Sequence, residues 1–230
     1  RVRLYHQEWE NAMNLAEGLL SSSPLEDLTS ADFTEPYNIN SKEAILCLEE
    51  WGDNDMTSYT ELLPSLIEKY DAVNDLRFNL YFTSKNDKYV PTKGGPNSNY
   101  KVSIRSSEIY LIAAEAAAHV DGKLDQAKDR LKELIKVRLQ HDYYEERAAE
   151  IDQMTAEELL VEIANERARE LALEGGHRWF DLRRTDRPEI VKVYTTDQGK
   201  QDRQVLSKDD SRYTIAFPKE ATESNPNLHN

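Results

Sequence analysis

Cysteine is almost absent from the sequence, with Cys47 the single one among 230 residues. One cysteine cannot form an intrachain disulfide, and it excludes the multi-cysteine clusters that hold structural zinc or iron–sulfur centres. The five histidines are scattered along the chain without the close pairing of a metal site. We therefore expect no bound metal and no cofactor.

Positive charge is also scarce, because Lys and Arg total 29 against 43 Asp and Glu, for a net charge of −14. A surface this acidic repels a phosphate backbone, so nucleic acid is not an expected partner. Long apolar runs are missing as well. No stretch approaches the roughly 18 to 20 apolar residues of a membrane-spanning helix, so no such helix is predicted.

The chain begins with Arg1 and shows no basic and apolar leader. We therefore expect residues 1–230 to be a single region of a longer chain, with any secretory leader or lipid-attachment cysteine upstream. A region of this length can bury roughly 70 to 75% of the surface that its unfolded chain exposes, which is enough for a substantial core.

What the sequence does contain is helical periodicity. Apolar residues recur three and four positions apart over residues 9–20 and again over residues 124–135. The two stripes superimpose with a constant shift, so that Ala12 matches Ala127. A large residue followed three positions later by alanine is typical of tetratricopeptide-type hairpins, in which the small side chain lets paired helices approach closely. A generic amphipathic helix shares much of this pattern, so both interpretations stay open here.

Shorter elements and long loops are predicted for the rest of the chain. Thr155 and Glu158 form a capping pair that predicts a helix from about residue 156 to Glu174, where a Gly-Gly pair ends it. Alternating apolar residues predict short strands at 75–82 and 213–218. The expected fold is mostly α, with tetratricopeptide-like helical hairpins, long irregular loops and a few short strands.

The most densely charged stretch is ERARELALEGGHRWFDLRR at residues 166–184. Glutamates four positions apart share a helix face and repel one another unless cations lie beside them. Nearby arginines can form bidentate hydrogen bonds with these carboxylates if the chain folds back after the glycine pair. We therefore predict a structural ion-pair network that comprises Glu166, Arg167, Glu170, Glu174, Arg178, Asp181, Arg183 and Arg184.

A catalytic use of the same glutamates is the competing hypothesis, and ligand contact is a third. Glycoside cleavage pairs two carboxyl groups, one of which must have a raised pKa so that it can donate a proton. An arginine close to a glutamate favours the ionised form and lowers that pKa. The stretch therefore favours a scaffold, and we expect a protein that is not an enzyme, with a glycoside hydrolase using the glutamates of residues 166–174 as the lesser alternative.

Five pieces of the chain, taken in order, resemble the SusD-like (SusD/RagB) family of outer-membrane nutrient-binding lipoproteins of Bacteroidetes. They are RVRLYHQEWENAMNLAEGLL, LLPSLIEKYDAVNDLRFNLYF, SEIYLIAAEAAAHVDGKLDQA, ERARELALEGGHRWFDLRR and YTIAFPKEATESNPNL. Together they cover essentially the whole chain and are similar to the C-terminal half of that family. The doubled glycine of EGGHRW departs from the single glycine of the family pattern.

This resemblance implies a non-enzymatic protein on the cell surface, held at the outer membrane by a lipid anchor upstream of this sequence. It also implies that the protein captures a glycan or another nutrient and delivers it to a SusC-like, TonB-dependent transporter. Some members resemble peptide receptors, so a peptide is the alternative ligand. In the family the charged stretch belongs to the fold and not to the sugar site.

Sugar recognition needs exposed aromatic rings for stacking and polar side chains for the hydroxyl groups. Two loops, PYNINS to WGDNDMTSY and NDKYVPTKGGPNSNY, carry both residue types. The candidate ligand-binding residues are therefore Tyr37, Asn38, Trp51, Asp53, Asn54, Tyr59, Tyr89, Asn97, Asn99 and Tyr100. Because Trp51 follows an apolar run, a core-packing role for this residue is left open.

Overall fold

Helices dominate the structure, a computed structural model that describes residues 1–49, 62–86, 88–93, 100–195, 199–225 and 227–228. For residues 49, 100, 101 and 195 it describes the backbone alone. The chain divides into two units, Arg1–Gly175 and Gly176–Asn230. Within the described ranges, no helix is both long and apolar enough to cross a membrane.

The first unit contains most of the helices and two antiparallel ribbons. Its helices are α1 (Val2–Tyr5), α2 (Trp9–Leu20), α3 (Pro64–Ile67), α4 (Phe78–Tyr81), α5 (Ser106–Ala118), α6 (Leu124–Lys136), α7 (His141–Gln153) and α8 (Ala156–Glu170). Its strands are β1 (Ala44–Glu49), β2 (Phe82–Lys85), β3 (Lys88–Pro91) and β4 (Tyr100–Arg105). Strand β1 pairs with β4, and β2 pairs with β3.

Helix α5 is the centre of the helical core. It is buried on nearly every side, and both α2 and α6 pack against it. The two alanines matched by the sequence shift, Ala12 and Ala127, are 3% and 0% exposed, so the small side chains do lie in the helix contacts. The predicted fold class, mostly α with tetratricopeptide-like hairpins, is confirmed.

Helix α8 begins as predicted but ends earlier. The Thr155 hydroxyl accepts a hydrogen bond from the Glu158 amide at 3.3 Å, and the Glu158 carboxylate accepts one from the Thr155 amide at 2.9 Å. The predicted end at Glu174 is wrong, because α8 stops at Glu170 and Leu173 adopts a φ of 64°. The chain therefore leaves the helical conformation before it reaches the glycine pair.

The second unit contains a short helix, a ribbon and an aromatic stack. Its elements are α9 (His177–Arg184), β5 (Ile190–Thr195), β6 (Gln201–Leu206), a 3₁₀ turn (Ser211–Tyr213) and α10 (Lys219–Ser224). The rings of Trp179 and Tyr213 stack with centroids 5.2 Å apart, and the Tyr213 hydroxyl donates to the Pro188 carbonyl. Strand β6 is not predicted from the sequence, because its residues QDRQ are polar and exposed.

Neither strand predicted from alternation is present as predicted. Over residues 75–82 the chain forms α4, and β2 begins only at Phe82. Phe78 and Tyr81, three positions apart, are both buried in one aromatic cluster, so helical spacing serves the packing better than alternation. Among the described strands none pairs with residues 213–218, where Ile215 is 77% exposed. Alternation cannot make a strand without a partner.

Replacing Ala127 with leucine tests the close approach of α5 and α6. The larger side chain has no room in this contact, so we expect the free energy of unfolding to fall by about 1 to 3 kcal/mol. Ala149 lies exposed on α7 and provides the control, with Ala149→Leu changing stability by less than about 0.5 kcal/mol. Urea unfolding measures the free energy of unfolding of both variants. Equal losses in the two would contradict the packing described for Ala127.

Candidate functional site

A continuous network of buried ions lies inside the first unit. Its side chains are no more than 4% exposed, although each carries a charge. The members are Glu43, Asp75, Arg77, Lys93, Arg105, Arg138, Glu166, Glu170 and Glu174. We call this set the buried ion network. Charges so deep are tolerated only when each finds partners of opposite sign and hydrogen bonds.

Glu170 is the centre of the buried ion network. Its carboxylate accepts hydrogen bonds from Arg105 Nη1 at 2.6 Å, Arg77 Nη1 at 2.8 Å and Arg138 Nη2 at 2.9 Å. Burial by itself raises the pKa of Glu170. The three guanidinium groups outweigh burial and hold that pKa well below its usual value. Glu170 is therefore an ionised acceptor.

The three arginines extend the buried ion network to other parts of the chain. Arg77 donates two hydrogen bonds to the Asp75 carboxylate, at 2.8 and 2.7 Å. Arg105 reaches both Glu174, at 2.8 Å, and Glu43, at 3.1 Å. Glu43 also accepts a hydrogen bond from Arg138 Nη2 at 2.6 Å, so Arg105 and Arg138 share this carboxylate as well. Direct hydrogen bonds of the network thus join residues that are up to 95 positions apart in the chain.

Sequence reasoning found three glutamates of the buried ion network and missed these cations. Arg77, Arg105 and Arg138 lie far upstream of the charged stretch, so proximity in sequence did not suggest them. One signal was present. Arg138 continues the apolar stripe of α6, and an arginine at a core-facing position indicates a buried partner.

The remaining predicted members have other contacts. Arg167 is buried, and its Nε lies 3.8 Å from the Glu115 carboxylate of α5. In the second unit, Arg184 pairs with Asp181 at 2.9 Å. Two other predicted members also lie on α9: Arg178 is exposed and Arg183 is half-buried. That the α9 residues join the buried ion network stays a prediction.

Lys93 follows β3 and closes the end of α8. Its ammonium donates to the carbonyls of Glu170 at 2.9 Å and Ala172 at 3.0 Å and to the Glu174 carboxylate at 2.5 Å. It also lies 3.9 Å from the centre of the Tyr81 ring. Burial lowers the pKa of Lys93 to about 8, although Glu174 acts in the opposite direction. A lysine bound to the last carbonyls of a helix is a structural cap.

This arrangement does not suit proton transfer. Burial raises the pKa values of Glu166 and Glu174, but neighbouring cations, Arg77 for the first and Arg105 for the second, bring both below the usual value. A general acid needs a raised pKa and access to substrate. These carboxylates have neither, so the geometry supports a structural role for the buried ion network.

The β1–β4 ribbon connects the buried ion network to the predicted ligand loops. At one end, Ala44 lies opposite Arg105, and Glu43 directly precedes β1. At the other end, Glu49 lies opposite Tyr100. Only parts of the two predicted loops adjoin the other end in the chain, since residues 50–59 follow Glu49 and residues 94–99 precede Tyr100. Tyr37 and Asn38 precede β1, and Tyr89 lies in β3.

Most candidate ligand-binding residues lie outside the described residues. These are Trp51, Asp53, Asn54, Tyr59, Asn97 and Asn99, and for Tyr100 the backbone alone is described. The other three have defined surroundings. Tyr37 is 8% exposed, and its ring centre lies 5.5 Å from the Lys93 ammonium, which does not fit the exposed sugar platform expected of it.

The last two described candidates are half-buried. Asn38 uses its side-chain oxygen to accept a hydrogen bond from the Asn40 amide at 2.9 Å, which closes a local turn. Tyr89 packs edge to face on Phe78 with ring centres 5.3 Å apart. Both side chains are partly exposed, and their role in binding stays a prediction.

Comparison with known proteins points to one family. A family model described as the SusD family matches residues 29–228 of the chain. A search of curated proteins found no match to this sequence. The match includes every member of the buried ion network, from Glu43 to Glu174.

Solved structures show the same fold. A SusD superfamily protein from Bacteroides thetaiotaomicron VPI-5482 superimposes with a TM-score of 0.72 at 17% identity, and one from Bacteroides fragilis with 0.71 at 21%. A SusD-like carbohydrate binding protein from Bacteroides vulgatus ATCC 8482 gives 0.67 at 18%. All three matches cover 100% of this chain, which spans 54 to 57% of the length of those chains.

Removing the central carboxylate tests whether the buried ion network supports the fold. In Glu170→Ala three buried guanidinium groups lose their shared acceptor, so we expect a loss of about 3 to 5 kcal/mol in the free energy of unfolding. Glu133→Ala, which breaks an exposed pair with Arg130, is the control and costs less than about 1 kcal/mol. Chemical unfolding measures both; a loss below about 1 kcal/mol for Glu170→Ala would show that the network is solvated.

The lowered pKa of Lys93 predicts a pH dependence of stability. Between the folded value of about 8 and the usual value of 10.5, the unfolded chain binds more protons than the folded one. The contribution of Lys93 to the free energy of unfolding therefore rises with pH in this window, by up to about 1.4 kcal/mol per pH unit. In Lys93→Met this contribution is absent. The free energies of unfolding of both proteins are measured from pH 7.5 to 10. A difference between them that stays constant over this range would refute the predicted contribution of Lys93.

Proposed function

The chain belongs to the SusD family, and from this premise we propose that it is a non-enzymatic, nutrient-binding protein of the cell surface whose ligand is a glycan. The observation that carries the proposal is the match of the family model over residues 29–228. The similarity to a SusD-like carbohydrate binding protein from Bacteroides vulgatus supports the choice of a glycan over other nutrients.

The absence of catalysis is supported by the state of the glutamates. In the hydrolase alternative, Glu166 or Glu170 protonates a glycosidic oxygen, and this needs a neutral carboxyl group in contact with substrate. Both side chains are at most 1% exposed, and guanidinium groups lower both pKa values. The buried ion network thus favours a binding protein over a hydrolase.

We place the protein at the outer membrane, held by a lipid anchor upstream of residue 1, where it delivers its ligand to a SusC-like, TonB-dependent transporter. These proposals rest on family membership. They agree with a chain in which no described helix can span a bilayer.

We assign recognition to the two predicted aromatic loops, which adjoin β1 and β4 in the chain. Each loop supplies tyrosines and amide or acidic side chains, the residue types that stack on sugar rings and bind their hydroxyl groups. This choice is supported by the pairing of Glu49, after which the first loop continues, with Tyr100, at which the second loop ends.

A panel of polysaccharides and peptides tests the proposal by isothermal titration calorimetry with the full-length protein. We expect saturable binding to at least one polysaccharide, with the glycan chain length unchanged after prolonged incubation. Saturable binding to peptides alone would replace the glycan by the peptide alternative. Turnover of a glycan that Glu170→Gln abolishes would establish the hydrolase instead.

A Trp51→Ala variant in the same assay distinguishes a sugar platform from a core tryptophan. If Trp51 is a platform, the variant loses affinity and keeps its melting temperature, because stacking on an aromatic ring is worth about 0.5 to 1.5 kcal/mol. A core residue loses stability instead.

A further inference from the structure

We propose that one face of the β5–β6 ribbon is a second glycan-binding surface, on which Tyr194 stacks against a sugar ring while Asp202 and Gln204 bind sugar hydroxyl groups. The choice of a glycan as the ligand rests on the proposed function. The site itself goes beyond that function, because it lies in the second unit and shares no residue with the two predicted loops.

The pairing of β5 with β6 sets four side chains on one face of the ribbon. Tyr194 lies opposite Asp202, and Lys192 lies opposite Gln204. Cross-strand partners share a face of an antiparallel pair, and so do residues two positions apart on one strand. We call the set of Lys192, Tyr194, Asp202 and Gln204 the Tyr194 face. All four residues are exposed.

The aromatic ring of the Tyr194 face is accessible from outside. Tyr194 is 39% exposed, and it is the one exposed tyrosine among those whose side chains the structure describes. Within the described residues its ring stacks on no other aromatic ring, and its cross-strand partner is the polar Asp202. The flat apolar side of the ring is therefore available to the C–H face of a sugar.

The hydroxyl group of Tyr194 fixes the orientation of the ring. It donates to Asp202 Oδ2 at 2.7 Å, and Oδ1 of the same carboxylate accepts from the Arg203 amide at 2.9 Å. The first of these hydrogen bonds raises the pKa of Tyr194 and lowers that of Asp202, so the phenol keeps its proton and the carboxylate stays ionised. A platform that is already oriented loses less conformational entropy when it binds a ligand.

The polar groups beside the ring retain hydrogen-bonding capacity for a ligand. The Gln204 side chain hydrogen-bonds with both Tyr194 and Asp202. An ionised carboxylate accepts about four hydrogen bonds, and Tyr194, the Arg203 amide and Gln204 use about three of those on Asp202. Asp202 can therefore accept from a sugar hydroxyl group, and the Gln204 amide offers both donors and an acceptor.

The charge of the Tyr194 face suits an uncharged ligand. Lys192 and Asp202 carry opposite charges on the same face. Residues 176–230 contain ten Lys and Arg against nine Asp and Glu, so this unit is nearly neutral and the net charge of −14 arises in residues 1–175. A charged polymer gains no net attraction here. A neutral polysaccharide, rich in hydroxyl groups and in apolar C–H faces, is the ligand that fits.

Tyr194→Ala tests the proposal against Val193→Ala as the matched control. Val193 precedes Tyr194 on β5, is 51% exposed and lies on the opposite face of the ribbon. Affinity gel electrophoresis of the full-length protein measures the apparent Kd for soluble starch, xyloglucan, galactomannan and arabinoxylan. Hydroxyl-radical footprinting measures the oxidation of Tyr194 with and without the polysaccharide that binds most tightly. Ile215, which is 77% exposed in the same unit, is the internal reference.

For a polysaccharide that the wild type binds, we expect the Kd to weaken about threefold to tenfold in Tyr194→Ala, because one stacking contact is lost, and less than about twofold in Val193→Ala. We also expect the polysaccharide to protect Tyr194 from oxidation and to leave Ile215 unprotected. A wild-type Kd in Tyr194→Ala, equal losses in the two variants, or an unprotected Tyr194 in the saturated complex would each overturn the proposal.

The fold of the ribbon and the proposed function are controlled separately. If Tyr194→Ala melts below the wild type, Tyr194→Ile replaces it, since isoleucine keeps the strand propensity but has no flat ring; the same criteria then apply. If the wild type binds none of the polysaccharides, the proposed glycan function fails, and this surface fails with it. A failure of the Tyr194 face alone appears as a binding wild type in which Tyr194 stays unprotected.

Discussion

The ionised carboxylate of Glu170, shared by three guanidinium groups, is the interaction on which the rest of the structure depends. Arg77 comes from the turn before α4, Arg105 from the end of β4 and Arg138 from the end of α6. Without this acceptor each arginine would lose one of its buried carboxylate partners, and breaking a buried ion pair costs several kcal/mol. The buried ion network therefore forces helices and irregular segments into one arrangement, which apolar contacts alone specify less sharply.

The same constraint separates stability from recognition. Charges that neutralise one another inside the core cannot also exchange protons with a substrate, because their pKa values are lowered and their oxygens are already occupied. In the proposed function, recognition therefore falls to other parts of the chain. The β1–β4 ribbon enters the buried ion network at one end, where Glu43 precedes β1 and Arg105 ends β4.

How much the sequence predicts depends on how local the cause is. The helix α2, the α5–α6 hairpin and the capping pair of α8 follow from neighbours within four residues, and the structure confirms them. Residues 75–82 and 213–218 show the limit. Their alternation is compatible with a strand, but an aromatic cluster imposes α4 on the first and no described strand pairs with the second.

The charged stretch shows the same division within a single site. From the sequence alone, the spacing of Glu166, Glu170 and Glu174 requires nearby cations, because like charges on one helix face repel. The tertiary structure decides which cations pair with them. Pairing with these carboxylates comes from distant segments, through Arg77, Arg105, Arg138 and Lys93. Sequence determines local conformation and the need for charge compensation, since both act over a few residues. Only the folded chain decides the partners of these carboxylates and the pairing of β1 with β4, since both depend on contacts between distant segments.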